Sequence, residues 1–340
     1  MVKNLLVAGG AGFIGSNFIH YVMDNTDYNI FNLDKLTYAG NLENLRDIEE
    51  SSRYTFIKAD ITDMSSIEDA LSQIDMDIII NFAAESHVDR SILNADDFIE
   101  TNITGTYNLI KYAEASNVKR YMQVSTDEVY GSLEPDEPAF TEINPLDPTS
   151  PYAASKASAD LIVMSYIKTH KFPAIITRCS NNYGPYQFPE KFIPLVIYKA
   201  VKGEKIPLYG DGLNVRDWIH VKDHCRALAM VMENGREGEV YNIGAENEKP
   251  NIDVIETILD ITGASGDLIE YVKDRKAHDR RYAIDNTKIR EELGFEPRMD
   301  FAAGIEDTVE WYRDNPSWVE RCMDGSYRKY YAKNYSGRNQ

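Results

Sequence analysis

The chain has 340 residues, with 36 Lys and Arg against 55 Asp and Glu, a net charge of −19, 43% hydrophobic and 27% charged residues. This length and composition suit a globular enzyme of two domains, or one domain with a large appendage. The acidic balance repels phosphate backbones and argues against nucleic acid as a partner, so any anionic ligand must be met by a local cluster of basic groups.

Near-continuous apolar runs predict strands at Lys3–Ala8, Asn29–Leu33, Thr55–Lys58, Asp77–Phe82, Arg120–Ser125 and Ala174–Arg178. Helical patterns separate them near Gly12–Asp24, Ser65–Gln73, Asp97–Ala115 and Tyr152–Lys168. Strands of this kind alternating with helices predict an α/β fold, a doubly wound parallel sheet of Rossmann type covered on both faces. Regularity fails after Arg178, where CSNNYGPYQFPEKFIP is rich in Gly, Pro, Asn and aromatics. The strands IPLYG and VRDWIHV, a helix near Asp223–Glu233, the strand VYNIG and helices at Ile252–Ile261 and Phe301–Arg313 follow. The predicted division is a dinucleotide-binding domain over 1–180 and 211–245, a smaller, mainly C-terminal α/β substrate domain over 181–210 and 246–330, and a polar tail at 331–340.

Cys179, Cys225 and Cys322 lack CxxC or metal-ligand spacing, and an odd count argues against a disulfide framework. The apolar part of MVKNLLVAGG is too short for a signal peptide, and no apolar stretch approaches the roughly 20 residues of a membrane span. A cytoplasmic protein with no membrane partner is expected.

The first strand runs into Gly9-Gly10-Ala11-Gly12-Phe13-Ile14-Gly15. Glycines in this spacing allow a tight turn and let backbone approach a pyrophosphate seated on a helix N-terminus. Asp34, at the end of the second strand, stands about 20 residues on, where a carboxylate holds ribose hydroxyls and repels a 2′-phosphate. The expected cofactor is therefore NAD rather than NADP. Asp60 and Ile61 end the third strand as adenine contacts or plain loop. Phe82, Ala83, Ala84, Glu85 and Ser86 follow the fourth, small enough in part to let a cofactor lie close to the sheet.

Tyr152 and Lys156 stand at i and i+4 and share a helix face. An ordinary surface pair is the bland alternative. A tyrosine with a pKa of about 10 is a poor base at neutral pH, but Lys156 and an adjacent nicotinamide cation can stabilise its phenolate. It would then take a proton from a hydroxyl while hydride leaves the same carbon.

GGAGFIG, YAASK and the strand-end carboxylates resemble the extended short-chain dehydrogenase/reductase family. STDEVYG, NFAAESHVDRSI, RCSNNYGPYQFPEKFIP and YGDGLNVRDWIHV resemble its sugar-nucleotide 4,6-dehydratase branch, and the similarity runs from residue 2 to about residue 326. The resemblance implies that dTDP-glucose is oxidised at C4, loses water across C5 and C6 and regains its hydride at C6. Asp127 would protonate the departing C6 hydroxyl, Glu128 would take the C5 proton and Thr126 would align the C4 hydroxyl. Because adjacent strand residues point to opposite faces, this requires the strand to end by about Ser125. The same resemblance adds Lys35, Leu36, Thr37, Thr101 and Asn182 to the cofactor residues. It places Ser86 at the sugar, and Arg216 and His278 at the diphosphate. Around the nucleotide it sets Asn181, Lys191, Phe192, Pro207, Leu208, Tyr209 and Asn251. Lys191, Arg216, Arg275 and His278 are the candidate cations. It also implies a homodimer paired through a four-helix bundle, built from the helices near 97–115 and 152–168. Ala153, Ala157 and Leu161 are its expected second apolar face.

One departure concerns the nucleotide. The family usually has Arg-Pro-Gly-His where this chain reads Arg275-Lys276-Ala277-His278, which leaves the base preference among dTDP, UDP, CDP and GDP open. His220 and His224 are expected to straddle a strand–helix junction as structural residues, and no metal site is expected. A nucleotide-sugar 4-epimerase, a UDP-glucuronate decarboxylase and a noncatalytic NAD-binding sensor stay as alternatives. Asp127 speaks against the first two, neither of which must expel a C6 hydroxyl. A sensor has no use for Tyr152, Lys156, Asp127 and Glu128 together.

Overall fold

The computed structural model describes residues 2–323; the expected tail at 331–340 and the end of the 246–330 segment lie outside the described residues. Seven strands build one parallel sheet: β1 (Asn4–Ala8), β2 (Asn29–Asp34), β3 (Tyr54–Lys58), β4 (Ile78–Asn81), β5 (Arg120–Thr126), β6 (Ala174–Cys179) and, much later, β10 (Val240–Ile243). Their order is β10-β6-β5-β4-β1-β2-β3, so the direction of winding reverses between β1 and β4. Ligands of open parallel sheets bind at such a reversal, beyond the carboxyl ends of the strands.

The strand sequences explain why the sheet is buried on both sides. Leu5 and Val7 point to one face, where helices α1 (Phe13–Asn25) and α8 (Val221–Asn234) pack with Phe18, Ile19, Leu228 and Met232. Leu6 and Ala8 point to the other, against α5 (Thr106–Ala115) and α6 (Pro151–His170) through Leu109, Ile110 and Val163. Alternating side chains that are apolar on both faces can be satisfied only by a two-sided helix cover.

The remaining strands form small sheets. β9 (Val215–His220) pairs with β7 (Asn181–Tyr183) and β11 (Glu248–Pro250), while β8 (Ile206–Tyr209) pairs with β12 (Ile269–Val272). A separate apolar cluster joins α7 (Phe192–Lys202), α9 (Asn251–Thr262), α11 (Phe301–Asp314) and α12 (Pro316–Cys322). Helix α7 starts in the last residues of the stretch read as irregular and continues through residues to which the sequence reading assigned no element. Its signal was present: Ile193, Val196, Ile197 and Ala200 recur at helical spacing and are all buried. Pro194 falls in the first turn, where a missing N–H is harmless.

Two helices differ from expectation. The segment near 97–115 is not one α-helix: a short turn α4 (Asp96–Phe98) leads into a π-helix at Ile99–Gly105 before α5 begins. The wide turn places Asn102 where its amide donates to Glu85 O (3.0 Å) and Ser155 Oγ (2.8 Å) and its oxygen accepts from Glu85 N (2.9 Å). Such insertions are common at functional sites. In α6, Ala153 and Ala157 do not form a second outward face with Leu161. They are buried against this chain's own core, Ala157 with Val129 and Tyr130, whereas Leu161 is 57% exposed. A helix of 3.6 residues per turn drifts by about 40° for each i+4 step, enough over two steps to carry the third position to solvent.

Among the described residues no helix is long and apolar enough to cross a membrane; Cys179 and Cys225 are buried free thiols, and Cys322 is buried too.

Candidate active site

The carboxyl ends of the central strands open onto a groove of about 300 Å³. Its floor is the glycine turn after β1, where Gly9 has φ +79°, a conformation suited to glycine. A Cβ on Gly9 would stand 2.5 Å from Ala83 N, and one on Gly15 would stand 2.4 Å from Gly9 O. The two strand-end turns thus approach each other too closely for any side chain, and the bare backbone of residues 9–15 is free to face a ligand. Asp34 closes this end: Oδ1 accepts from Leu36 N (2.8 Å) and Oδ2 from Ala11 N (3.0 Å). Burial, only partly offset by these two amides, raises its pKa. Backbone amides, small residues and one carboxylate at a sheet reversal fit a dinucleotide with a free ribose 2′-hydroxyl.

All the expected cofactor residues line this groove except Leu36 and Asp60. Leu36 has φ +59° and spends its amide on Asp34. Asp60 turns aside to accept from Thr62 N (2.9 Å), with Lys35 Nζ 3.6 Å away. Lys35 also donates to Thr101 Oγ1 (3.3 Å).

The far end of the groove holds the chemistry. Strand β5 ends at Thr126, and residues Asp127–Tyr130 turn at once into a 3-10 helix. The strand alternation therefore lapses at Asp127, and both carboxylates of the pair line the groove. Asp127 is 2% exposed; its Oδ1 accepts from the Thr126 hydroxyl at 3.2 Å and its Oδ2 has no protein partner. Burial pushes its pKa well above the carboxylate range, and the charges of Glu128 and Asp217 push the same way. Glu128 is raised by burial too, but Arg275, Arg216 and Lys191 oppose the rise. The neighbourhoods thus separate the pair: the protonated form is favoured more strongly at Asp127, and Glu128 is the more easily ionised.

Helix α6 brings in Tyr152 and Lys156, both lining the same groove. Ser150 caps its first turn through Ala153 N (3.1 Å), and Pro151 starts it. Lys156 Nζ donates to Val124 O at 2.7 Å; burial lowers its pKa against the pull of Asp160. The Tyr152 phenol lies well above its ordinary pKa, through burial first and then the charge of Glu128. Lys156 therefore does not by itself bring the phenol into the neutral range.

A second pocket of about 210 Å³ continues the first. Ser86, Glu128, Asn181, Asn182 and Lys191 line both, so Glu128 stands at the junction. Phe192, Pro207, Leu208, Tyr209, Arg216, Asn251, Arg275 and His278 complete the expected set around it. Lys191 donates to Ser86 O at 2.7 Å. Arg216 is 6% exposed, donates to Asp279 O (2.9 Å) and lies 4.2 Å over the Tyr282 ring. His278 departs from its role as a candidate cation. Burial, with the charges of Arg275 and Arg216 beside it, lowers its pKa to about 4, so it is a neutral ring at pH 7, 2.6 Å from Asp274.

Several lining residues were not anticipated. Glu190, at the junction, accepts from Arg90 Nη2 (2.9 Å), and the Arg90 guanidinium lies 4.0 Å over the Tyr38 ring. Tyr282 also borders the second pocket. Nothing in their local sequence distinguishes them, since contacts between residues 38, 90 and 190 exist only after folding. His220 ends β9, and His224 is buried in α8 with Nδ1 2.8 Å from Asn182 Oδ1. Burial lowers its pKa to about 3. Among the described residues no group of three or more His, Cys, Asp or Glu is placed to hold a metal.

The parallel sheet with its glycine turn, opening onto Tyr152, Lys156 and an acid pair, defines a dehydratase or epimerase of short-chain dehydrogenase/reductase type. The chain belongs to the GDP-mannose 4,6 dehydratase family, whose model matches residues 6–308. It is 49% identical to the dTDP-glucose 4,6-dehydratase of Salmonella typhimurium, over 98% of this chain and 99% of that protein. A crystal structure of the dTDP-glucose 4,6-dehydratase of Streptomyces venezuelae with NAD and a dTDP ligand superposes with a TM-score of 0.91. It is 47% identical and covers 94% of this chain and 100% of that one. The UDP-glucose 4-epimerase of Thermotoga maritima, crystallised with UDP-glucose, has a TM-score of 0.86 at 29% identity, covering 92% and 100%.

Proposed function

We propose that the chain is an NAD-dependent hydro-lyase that converts dTDP-glucose to dTDP-4-keto-6-deoxyglucose with loss of one water. The observation that carries this reading is the Asp127–Glu128 pair, two adjacent carboxyls lining one groove, where burial favours the protonated form of the first and three cations favour ionisation of the second at the junction of the two pockets. Neither an epimerase nor a decarboxylase has to expel a C6 hydroxyl, so neither needs that acid. The near full-length identity to dTDP-glucose 4,6-dehydratases supports the same substrate.

The backbone of residues 9–15, Asp34 and the Phe82–Ser86 turn would hold NAD. Bound there, its nicotinamide supplies the hydride acceptor for C4 and the donor for C6, and its positive charge favours an ionised Tyr152. Tyr152 takes the C4 hydroxyl proton, with Thr126 fixing that hydroxyl and Lys156 holding a positive charge behind the phenol. The C4 ketone acidifies the C5 proton. Glu128 removes that proton while Asp127 delivers its own to the C6 oxygen, which departs as water. Acid and base act in one step on neighbouring carbons, which is why they sit on adjacent residues. Lys191, Arg216 and Arg275 offset the diphosphate charge that the acidic chain would otherwise repel. In this division of labour, residues 1–180 and 211–245 serve mainly the cofactor, with Arg216 reaching the diphosphate, and 181–210 and 246–330 serve mainly the nucleotide, with Asn182 reaching the cofactor groove.

Incubation with dTDP-, UDP-, CDP- and GDP-glucose, followed by mass analysis, tests the reading. The expected result is loss of one water, fastest with dTDP-glucose and without added NAD; a product of unchanged mass would sink it. The buried thiols of Cys179 and Cys225 suit a reducing cytoplasm. We also place a second copy of the chain on the α5–α6 surface, where Leu93, Ile99, Tyr107 and Leu161 are 56%, 50%, 40% and 57% exposed. Light scattering at working concentration should return a dimer, and a monomer would refute the placement.

A further inference from the structure

The pocket proposed for a diphosphate contains a buried carboxylate. Asp89, in the short helix α3 (Val88–Leu93), is 6% exposed and lines the second pocket, where its charge opposes that of the expected ligand. A buried carboxylate persists only when it is paired and hydrogen-bonded. Asp89 is both paired and hydrogen-bonded. Its Oδ1 accepts from Arg275 Nη1 at 3.1 Å, and its Oδ2 accepts from the Tyr209 hydroxyl at 3.2 Å. Three segments distant in sequence meet on this one side chain: α3, the end of β8 and the loop before Asp279.

Arg275 is only partly satisfied by this contact. Its Nε is buried without a protein partner, and the residue lines the pocket. One edge of the guanidinium is fixed by Asp89, and a donor is left for something else. A phosphate oxygen is the acceptor that a guanidinium fork matches best.

The loop that carries Arg275 needs such an anchor. Arg275-Lys276-Ala277-His278 contains neither proline nor glycine, and Ala277 has φ +50°, where residues with a Cβ are disfavoured. Nothing in the local sequence makes this turn rigid. Two contacts stay within the loop, from Arg275 N to Asp274 Oδ1 (2.8 Å) and between His278 Nδ1 and Asp274 Oδ1 (2.6 Å). The ion pair with Asp89 instead ties the loop to α3, a part of the fold that does not share its strain.

We infer that Asp89 is a positioning residue for the diphosphate site, holding Arg275 and Tyr209 so that the unpartnered side of the guanidinium meets a phosphate oxygen. The inference rests on the nucleotide-sugar reading above. Asp89 touches neither reacting carbon, so its contribution lies in substrate binding. It therefore gains more from orienting Arg275 than it loses by repelling the ligand.

Titration calorimetry of dTDP and of thymidine into the full-length protein with its cofactor separates the possibilities. Wild type, Asp89→Asn, Arg275→Met and the double variant are compared. Asp89→Asn should weaken dTDP binding by roughly ten-fold or more, the scale of one charge-assisted hydrogen bond. Thymidine, which lacks phosphate, should stay within about two-fold. In the Arg275→Met background the Asp89 change should add less than about two-fold, because coupled partners are not additive. Equal weakening of both ligands would make Asp89 a general support of the pocket, and tighter dTDP binding would make it only a repulsive charge. Either result, or full additivity in the double variant, overturns the inference alone. A wild type that binds dTDP no more tightly than thymidine overturns the nucleotide-sugar reading, and this inference with it.

Discussion

Asp127→Asn is expected to slow dehydration by about 100-fold or more, the scale of a lost general acid, while oxidation at C4 proceeds. The substitution keeps the shape of the side chain. Its amide can still donate a hydrogen bond from the position of Oδ2, the oxygen that has no protein partner. What it removes is a proton that can be given away. Burial and the charges of Glu128 and Asp217 hold that proton on Asp127, so the wild-type elimination step should lose rate as pH rises through the elevated Asp127 pKa. The asparagine variant should lack that alkaline limb. Quenched-flow mass analysis distinguishes a 4-keto sugar that has kept its C6 hydroxyl from the dehydrated product. The former should accumulate in Asp127→Asn. Near-wild-type dehydration would reduce Asp127 to an ordinary loop carboxylate.

The second large effect lies one step earlier. Tyr152→Phe should suppress C4 oxidation itself by about 10²- to 10⁴-fold, because it removes the group proposed to take the hydroxyl proton. The ring packs edge-on against Phe98 with centroids 6.4 Å apart, and the residue is 8% exposed, so phenylalanine keeps the packing and removes only the oxygen. No keto sugar of either kind should appear at early times. Accumulation of the undehydrated ketone in Asp127→Asn and its absence in Tyr152→Phe together assign the two halves of the reaction. The same ketone in both variants would remove Tyr152 from the first half. The phenol's pKa, raised by burial and by Glu128, also predicts that oxidation gains rate with rising pH, opposite in sign to the elimination step.

Much of the site was legible because it is local. Gly9 to Gly15, Asp34 and the Tyr152–Lys156 spacing are short patterns whose expected chemistry follows from residue type and interval, whereas the roles of the Asp127–Glu128 pair came from the resemblance of STDEVYG. Near-continuous apolar runs alternating with helical patterns marked the parallel sheet, since Leu5, Leu6, Val7 and Ala8 need cover on both faces. Helix α7 was equally legible in its apolar spacing, but Pro194 and the irregular stretch before it obscured the pattern. The π-helix at Ile99–Gly105 had no local signal, because the bonds from Asn102 to Glu85 and Ser155 that hold it come from other elements.

Residue order by itself determined the class of fold, the dinucleotide turn, and which side chains could serve as acid, base and phenol. Tertiary structure decided how those side chains differ from one another. Asp127 and Glu128 are adjacent carboxylates of similar intrinsic acidity. They diverge because one is enclosed with Asp217 while the other faces Arg216, Arg275 and Lys191, residues between 63 and 147 positions away in the chain. Burial and charge–charge energy depend on distance through space, which local sequence does not specify. The same reason holds for Asp89, whose partners Tyr209 and Arg275 reach it only once the loops have closed around the second pocket.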